Sequence, residues 1–145
     1  MTEAVRFGGS EYTGKPRFER PMVILVVEDE ALVNMNVCEF LIDEEFTVFS
    51  AREAKEALML MEALGGSVDL LFTDVNMPGG MDGFDLVRLT QERWPAVKIL
   101  ITTGGRDSSD LPPDLQKLGP MLMKPYKLEI MENTISNILA SAQRQ

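Results

Sequence analysis

The chain has no histidine and only one cysteine, Cys38. Without imidazole it cannot run a Ser-His-Asp or Cys-His mechanism, hold a His-ligated metal or itself carry a phosphohistidine. A lone thiol cannot close an internal disulfide or build a paired zinc or redox site, so a reducing compartment, the cytoplasm, is expected. Long hydrophobic runs are also missing. The longest, Met22 to Val27, is far short of the ~20 residues that span a bilayer, and no apolar signal segment opens the chain. Membrane insertion is therefore not expected. Positive charge is scarce: 14 Lys+Arg face 23 Asp+Glu, a formal net charge of -9. A nucleic-acid backbone would be repelled, so direct nucleic-acid binding is not expected.

What is present fits one globular domain. The 145 residues are 45% hydrophobic and 26% charged, and a second cored domain would need most of another such length. No separate output domain is expected. Residues 1–20 hold four basic and three acidic residues and lack apolar periodicity, which predicts a flexible tail before a domain over 21–143.

From Met22 onward, apolar runs at 22–27, 46–49, 68–73, 97–102 and 121–123 alternate with amphipathic stretches, a (βα)5 pattern. Strands separated by helices imply right-handed crossovers and a doubly wound parallel sheet covered on both faces. In the first helix Val33, Val37, Phe40 and Leu41 form the apolar face, with Asn34 and Asn36 elsewhere. The second helix is predicted over Ala51 to Leu64, stopped by Gly65-Gly66. The third follows Asp82-Gly83 and ends at Trp94-Pro95, and the last runs from about Leu128 to Ala140. Gly104, Gly105, Pro112 and Pro113 predict a short or irregular fourth helix.

Ligands of such sheets gather at the carboxyl ends of the strands. Strand one ends in Glu28-Asp29-Glu30, strand three in Thr73-Asp74-Val75-Asn76, strand four in Thr102-Thr103-Gly104 and strand five in Met123-Lys124-Pro125. Two carboxylates about 4 Å apart repel by roughly 4 kcal/mol at an effective dielectric near 20, so the cluster needs counter-ions. Lys124 is one. The remaining oxygen-rich, net negative pocket suits Mg²⁺ (or Mn²⁺), for which a phosphoryl oxygen is a natural further ligand. Asp74, ending the most hydrophobic stretch, is the best nucleophile, and Lys124 would stabilise charge on a transferring phosphoryl group.

The ordered motifs VVEDE, LLFTDVNMPGGMDG, ILITTGG and MLMKPY resemble the receiver domain of bacterial two-component response regulators over roughly residues 21–143. The resemblance implies a flavodoxin-like five-stranded sheet with strand order 2-1-3-4-5. It further implies that Asp74 is the phosphoacceptor, fed by a histidine kinase or histidine phosphotransfer protein. Glu28 and Asp29 would organise the metal, Asp29 directly and Glu28 through water, Asp74 would be a further ligand, and Asn76 would lend its backbone carbonyl. Thr103 would be the switch hydroxyl, Lys124 would contact a phosphoryl oxygen, Gly104 would leave access to the acceptor, and Lys124-Pro125 would be cis. Asn76 and Gly105 would influence the lifetime of the acyl phosphate, with intrinsic autodephosphorylation as a side reaction. The downstream partner is expected to be another protein, reached by a stand-alone receiver acting as adaptor, sink or relay intermediate.

Three positions depart from the pattern. The usual aromatic three residues before the lysine is Met121, so Met121 could repack or Tyr126 report the change instead. Gly79-Gly80 lengthens the loop after Asp74, and residues 104–113 replace a regular helix. Glu30 reads as a first-turn charge complementing the helix dipole, and the methionines as core filler. Two alternatives stand beside the reading. A phosphohydrolase of the haloacid dehalogenase type lacks its Asp-x-Asp motif here. A phosphorylation-independent pseudo-receiver would bind its partner unaltered by loss of the Asp74 carboxylate.

Overall fold

The computed structural model describes residues 18–76, 80–104 and 111–143. Among these, five strands form one sheet: β1 (Val23–Val27), β2 (Thr47–Ala51), β3 (Leu70–Asp74), β4 (Lys98–Thr103) and β5 (Met121–Met123). All neighbours pair in parallel, in the order β2-β1-β3-β4-β5. The helices are α1 (Ala31–Asp43), α2 (Ala54–Leu64), α3 (Gly83–Arg93) and α4 (Leu128–Gln143).

Because side chains alternate across a strand, each central strand feeds two cores. Leu25, Val27, Leu71, Ile99 and Ile101 pack with Ala57 and Met61 of α2 and Leu86 and Val87 of α3. On the opposite face Ile24, Val26, Leu70, Phe72 and Leu100 pack with Val37 and Leu41 of α1 and Met131, Ile135 and Leu139 of α4. This double coverage is the physical reason the strands read as unbroken apolar runs.

The β4 to β5 crossover holds a 3-10 helix, Pro113–Leu118, the short element expected in place of a regular fourth helix. Leu115 and Leu111 anchor it in the core beside α3. An Arg88 to Asp114 pair, 3.0 Å from Nε to Oδ2, ties it to α3. Gly105 and the rest of residues 105–110 lie outside the described residues, as do the predicted tail up to residue 17 and Gly79 of the lengthened loop.

Two helix boundaries need physical comment. Ala51, expected to open the second helix, is the last residue of β2, paired with Val27, and its carbonyl accepts from the Glu28 N–H at 3.1 Å. The helix starts at Ala54 and stops as expected at Gly65, whose φ of 63° is the left-handed conformation that ends helices. The third helix starts at Gly83 behind a reciprocal cap, in which Asp82 Oδ1 accepts from the Asp85 N–H at 2.9 Å. The methionines divide: Met22, Met61 and Met131 are core, while Met35, Met59 and Met123 are exposed.

Asp69 ties the opening of β1 to that of β3. Its carboxylate accepts a two-point bond from Arg20, 2.9 and 2.8 Å, and the Val23 N–H at 2.8 Å. Partial burial opposes its charge, but these hydrogen bonds and the guanidinium outweigh that and hold its pKa below the usual 3.8. A depressed carboxylate stabilises the fold above its unfolded pKa and loses that contribution as pH falls through its folded value. Asp69→Ala is therefore expected to cost about 1 kcal/mol at neutral pH, small because the guanidinium is exposed. In urea titrations across pH, the gap from wild type should close below about pH 4.

Candidate functional site

The parallel register brings the strand ends together. Asp74 ends β3 opposite Thr102 of β4, and Thr103 closes β4 opposite Met123, immediately before Lys124. The Lys124 N–H donates to the Thr103 carbonyl at 2.8 Å, and the Val75 N–H to the Thr102 carbonyl at 3.2 Å. Asp74 is only 3% exposed. Its Oδ2 accepts from Lys124 Nζ at 2.8 Å and its Oδ1 from the Asn76 N–H at 3.0 Å. Glu28, equally buried, lies 2.8 Å from the same ammonium through Oε1 and accepts the Glu30 N–H on Oε2 at 3.0 Å.

One ammonium thus bridges two buried carboxylates. Burial opposes the charge on Lys124, but hydrogen bonds to Asp74 and Glu28, with their charges, win and raise its pKa. Burial raises the pKa of Glu28, with Lys124 and the Glu30 N–H offsetting part of it and the Asp74 charge adding to it. Tyr126, packed on Phe72 at a ring separation of 6.0 Å, is pushed up to about 12 by burial and by the Glu28 charge, so its phenol stays protonated at neutral pH.

Glu28, Asp29 and Asp74 each offer an oxygen, all within 4.8 Å of one another. An all-oxygen, anionic donor set of this kind fits a small hard cation such as Mg²⁺. The fourth expected metal contributor, Asn76, is exposed at the rim, placed by its own N–H on Asp74. Thr103 Oγ1 is fully buried and finds no hydrogen-bond partner among the described residues. Gly104 faces Lys124, where an added Cβ would lie 3.8 Å from the lysine Cβ, an ordinary contact. The Lys124-Pro125 bond is cis, as expected. Met121 is half-buried against the core under α2 and α3, whereas Tyr126 belongs to the core on the other face.

Four residues around the site escaped the sequence reading. Asn34, expected off the apolar face of α1, is buried in line with Val37 and Leu41. Its amide donates to the carbonyls of Glu28 and Ala51, at 3.0 and 3.2 Å, satisfying main-chain groups where β1 and β2 end. Glu30 lies 3.8 Å from Lys124 and lends its N–H to Glu28, so it belongs to the acidic cluster as well as to the helix start. Arg52 grips the Asp29 carbonyl from Nε and Nη2, at 3.0 and 2.7 Å. Gly83 presses on the end of β3: a Cβ there would collide with the Asp74 carbonyl oxygen and lie 2.6 Å from Val75 Cα. Spacing from Val37 and Leu41 could have revealed Asn34. Arg52 would have emerged from including the end of β2 in the census of strand ends.

A sheet of this order with acids, a hydroxyl and a lysine at its carboxyl edge defines a doubly wound domain with an acidic pocket, and comparison with known proteins specifies its family. The response regulator receiver domain family matches residues 24–136, and the chain belongs to that family. It is 37% identical over 119 residues to the sensor kinase CckA of Brucella abortus (strain 2308), covering 80% of this chain and 12% of that protein. The receiver domain of the hybrid histidine kinase CckA superposes with a TM-score of 0.68 at 26% identity, covering 81% of this chain and 98% of that one. The signal receiver domain of an HD domain-containing protein from Pseudomonas fluorescens Pf-5 reaches 0.77 at 22%, covering 87% and 100%, a likeness of fold.

The chain spans only 12%, 24% and 52% of the length of three curated relatives. Receiver domains are signalling phosphoacceptor domains rather than ordinary enzymes, and they work with histidine kinases and downstream effectors. They bind Mg²⁺ at an acidic pocket, and Glu28, Asp29 and Asp74 form such a cluster here. Among the described residues no helix is long and apolar enough to cross a membrane.

Proposed function

We propose that Asp74 accepts a phosphoryl group from a phosphohistidine of a partner kinase or phosphotransfer protein, within a receiver unit spanning 21–143. The observation that carries this is the Asp74 carboxylate itself: buried, fixed at both oxygens and sharing one ammonium with Glu28. In the transfer a carboxylate oxygen of Asp74 bonds to phosphorus while the phosphorus–nitrogen bond breaks, and its electron pair leaves on the partner's imidazole. Asp74 thereby becomes an acyl phosphate and the histidine is regenerated.

Glu28, Asp29 and Asp74, with the Asn76 carbonyl, would hold Mg²⁺ or Mn²⁺, which when bound neutralises charge on the phosphoryl oxygens. Lys124 then exchanges part of its grip on Asp74 for a phosphoryl oxygen. Thr103, whose hydroxyl has no acceptor among the described residues, turns toward another. Binding of that oxygen favours one conformation of the β4 to β5 crossover, and a downstream protein reads the shift. The net charge of -9 supports a protein rather than nucleic acid as that reader.

The test is intact mass after incubation with Mg²⁺ and a small phosphodonor such as acetyl phosphate. One phosphoryl adduct is expected on wild type, none on Asp74→Asn and none after chelation. No adduct on wild type, together with failure to accept phosphate from histidine kinases, would overturn the proposal.

A further inference from the structure

The segment carrying Glu28 and Asp29 is braced by a side chain that has no oxygen to offer a cation. Arg52, the first residue after β2, places two guanidinium N–H groups on the Asp29 carbonyl, at 3.0 and 2.7 Å. The other half of that same peptide unit, the Glu30 N–H, donates to Glu28 Oε2 at 3.0 Å. A peptide unit is planar, so the grip on its oxygen fixes the direction of its N–H, and that N–H fixes one oxygen of the Glu28 carboxylate. A charge-assisted fork on the carbonyl also polarises the unit and strengthens the bond at its far end. Arg52 is itself anchored, since its backbone N–H donates to Glu56 Oε1 in the first turn of α2 at 2.8 Å.

We infer that Arg52 is a positioning residue of the acidic site, preorganising Glu28 and Asp29 for a divalent cation through the Asp29–Glu30 peptide. The inference rests on the Mg²⁺ reading above. It has a sign that can be checked. As a bare positive charge, Arg52 would oppose a bound cation, and its removal would tighten binding in a salt-dependent way. As a brace, its removal must weaken binding at any ionic strength, because a disordered set of ligands has to be ordered on binding.

The experiment titrates Mg²⁺ into wild type, Arg52→Gln, Arg52→Lys and, as a control, Arg93→Gln, which breaks an exposed pair with Glu62 joining α3 to α2. Amide chemical shifts report affinity at low and high salt, and amide hydrogen exchange is followed without metal. Arg52→Gln should bind Mg²⁺ roughly tenfold more weakly at both salt concentrations. Arg52→Lys should recover only a minor part, lacking the fork, and Arg93→Gln should match wild type. In metal-free Arg52→Gln the Glu30 amide should exchange faster while β3 and β4 keep their protection. Equal or tighter binding by Arg52→Gln, unchanged exchange at Glu30, or protection lost throughout the sheet would overturn the inference alone. Absence of Mg²⁺ binding by wild type would overturn the site reading with it.

Discussion

Lys124→Met is expected to destabilise the metal-free protein by about 2 kcal/mol at neutral pH and to slow phosphorylation of Asp74 by roughly 10²–10³. The stability loss follows from Glu28 and Asp74, both 3% exposed, losing the ammonium 2.8 Å from each. It falls below the roughly 3–5 kcal/mol of a fully buried pair because the ammonium keeps some water. The pH dependence has a definite sign. The pKa of Lys124 is raised, so in wild type its contribution is complete below the ordinary 10.5 and is lost only at more alkaline pH. In the variant the carboxyl of Glu28, already raised by burial, rises further, so acidification neutralises it and narrows the deficit. Urea unfolding with and without Mg²⁺ checks the cause: the variant should bind Mg²⁺ more tightly than wild type and regain most of its stability. A deficit unchanged by Mg²⁺ would show that the loss is packing rather than charge.

Gly83→Ala sets helix propensity against space. Alanine is about 1 kcal/mol better than glycine inside a helix, so propensity alone predicts stabilisation. The added Cβ, however, meets the Asp74 carbonyl oxygen and Val75 Cα, backbone atoms at the end of the central strand that cannot rotate away. A net loss of about 2 kcal/mol is expected, together with a phosphorylation defect, because the main chain forced to move is that of Asp74. Gly80→Ala is the control. Among the described residues no atom lies within 4 Å of a Cβ there, so it should change stability by less than about 0.5 kcal/mol and leave phosphorylation intact. Chemical denaturation and adduct mass on both variants separate the outcomes, and a stabilised, fully active Gly83→Ala would refute the close approach.

These residues show where sequence is legible. Glu28, Asp74, Thr103 and Lys124 could be placed together because each follows an apolar run, and parallel strands align their carboxyl ends. The strand order itself came from family resemblance, since periodicity does not say which strands are neighbours. The apolar runs alone stop one residue short where polar residues complete the ladder, as Asp74 does in β3 and Thr103 in β4, and both strands end at the positions the census of strand ends gave them. Asn34, Arg52 and Gly83 were missed for a shared reason. Two bond to main-chain carbonyls and the third makes room for one, and a carbonyl carries no side-chain signature. Arg52 illustrates this: a census that included the end of β2 would bring it to the site, but nothing in the string SAREA marks a guanidinium folded back on a residue 23 positions earlier.

The hydroxyl of Thr103, unpartnered among the described residues, bounds how decisively one phosphoryl group could flip the domain. A first hydrogen bond to a buried hydroxyl is worth about 1–3 kcal/mol, a factor of about 5 to 150 in an equilibrium. Moving a population from one part in a hundred to ninety-nine needs about 5.5 kcal/mol. Threonine reorientation alone would thus leave a mixture of forms, a graded rather than binary output. A sharper response requires a second contribution, either the displaced ammonium of Lys124 or a partner that binds one form and completes the shift.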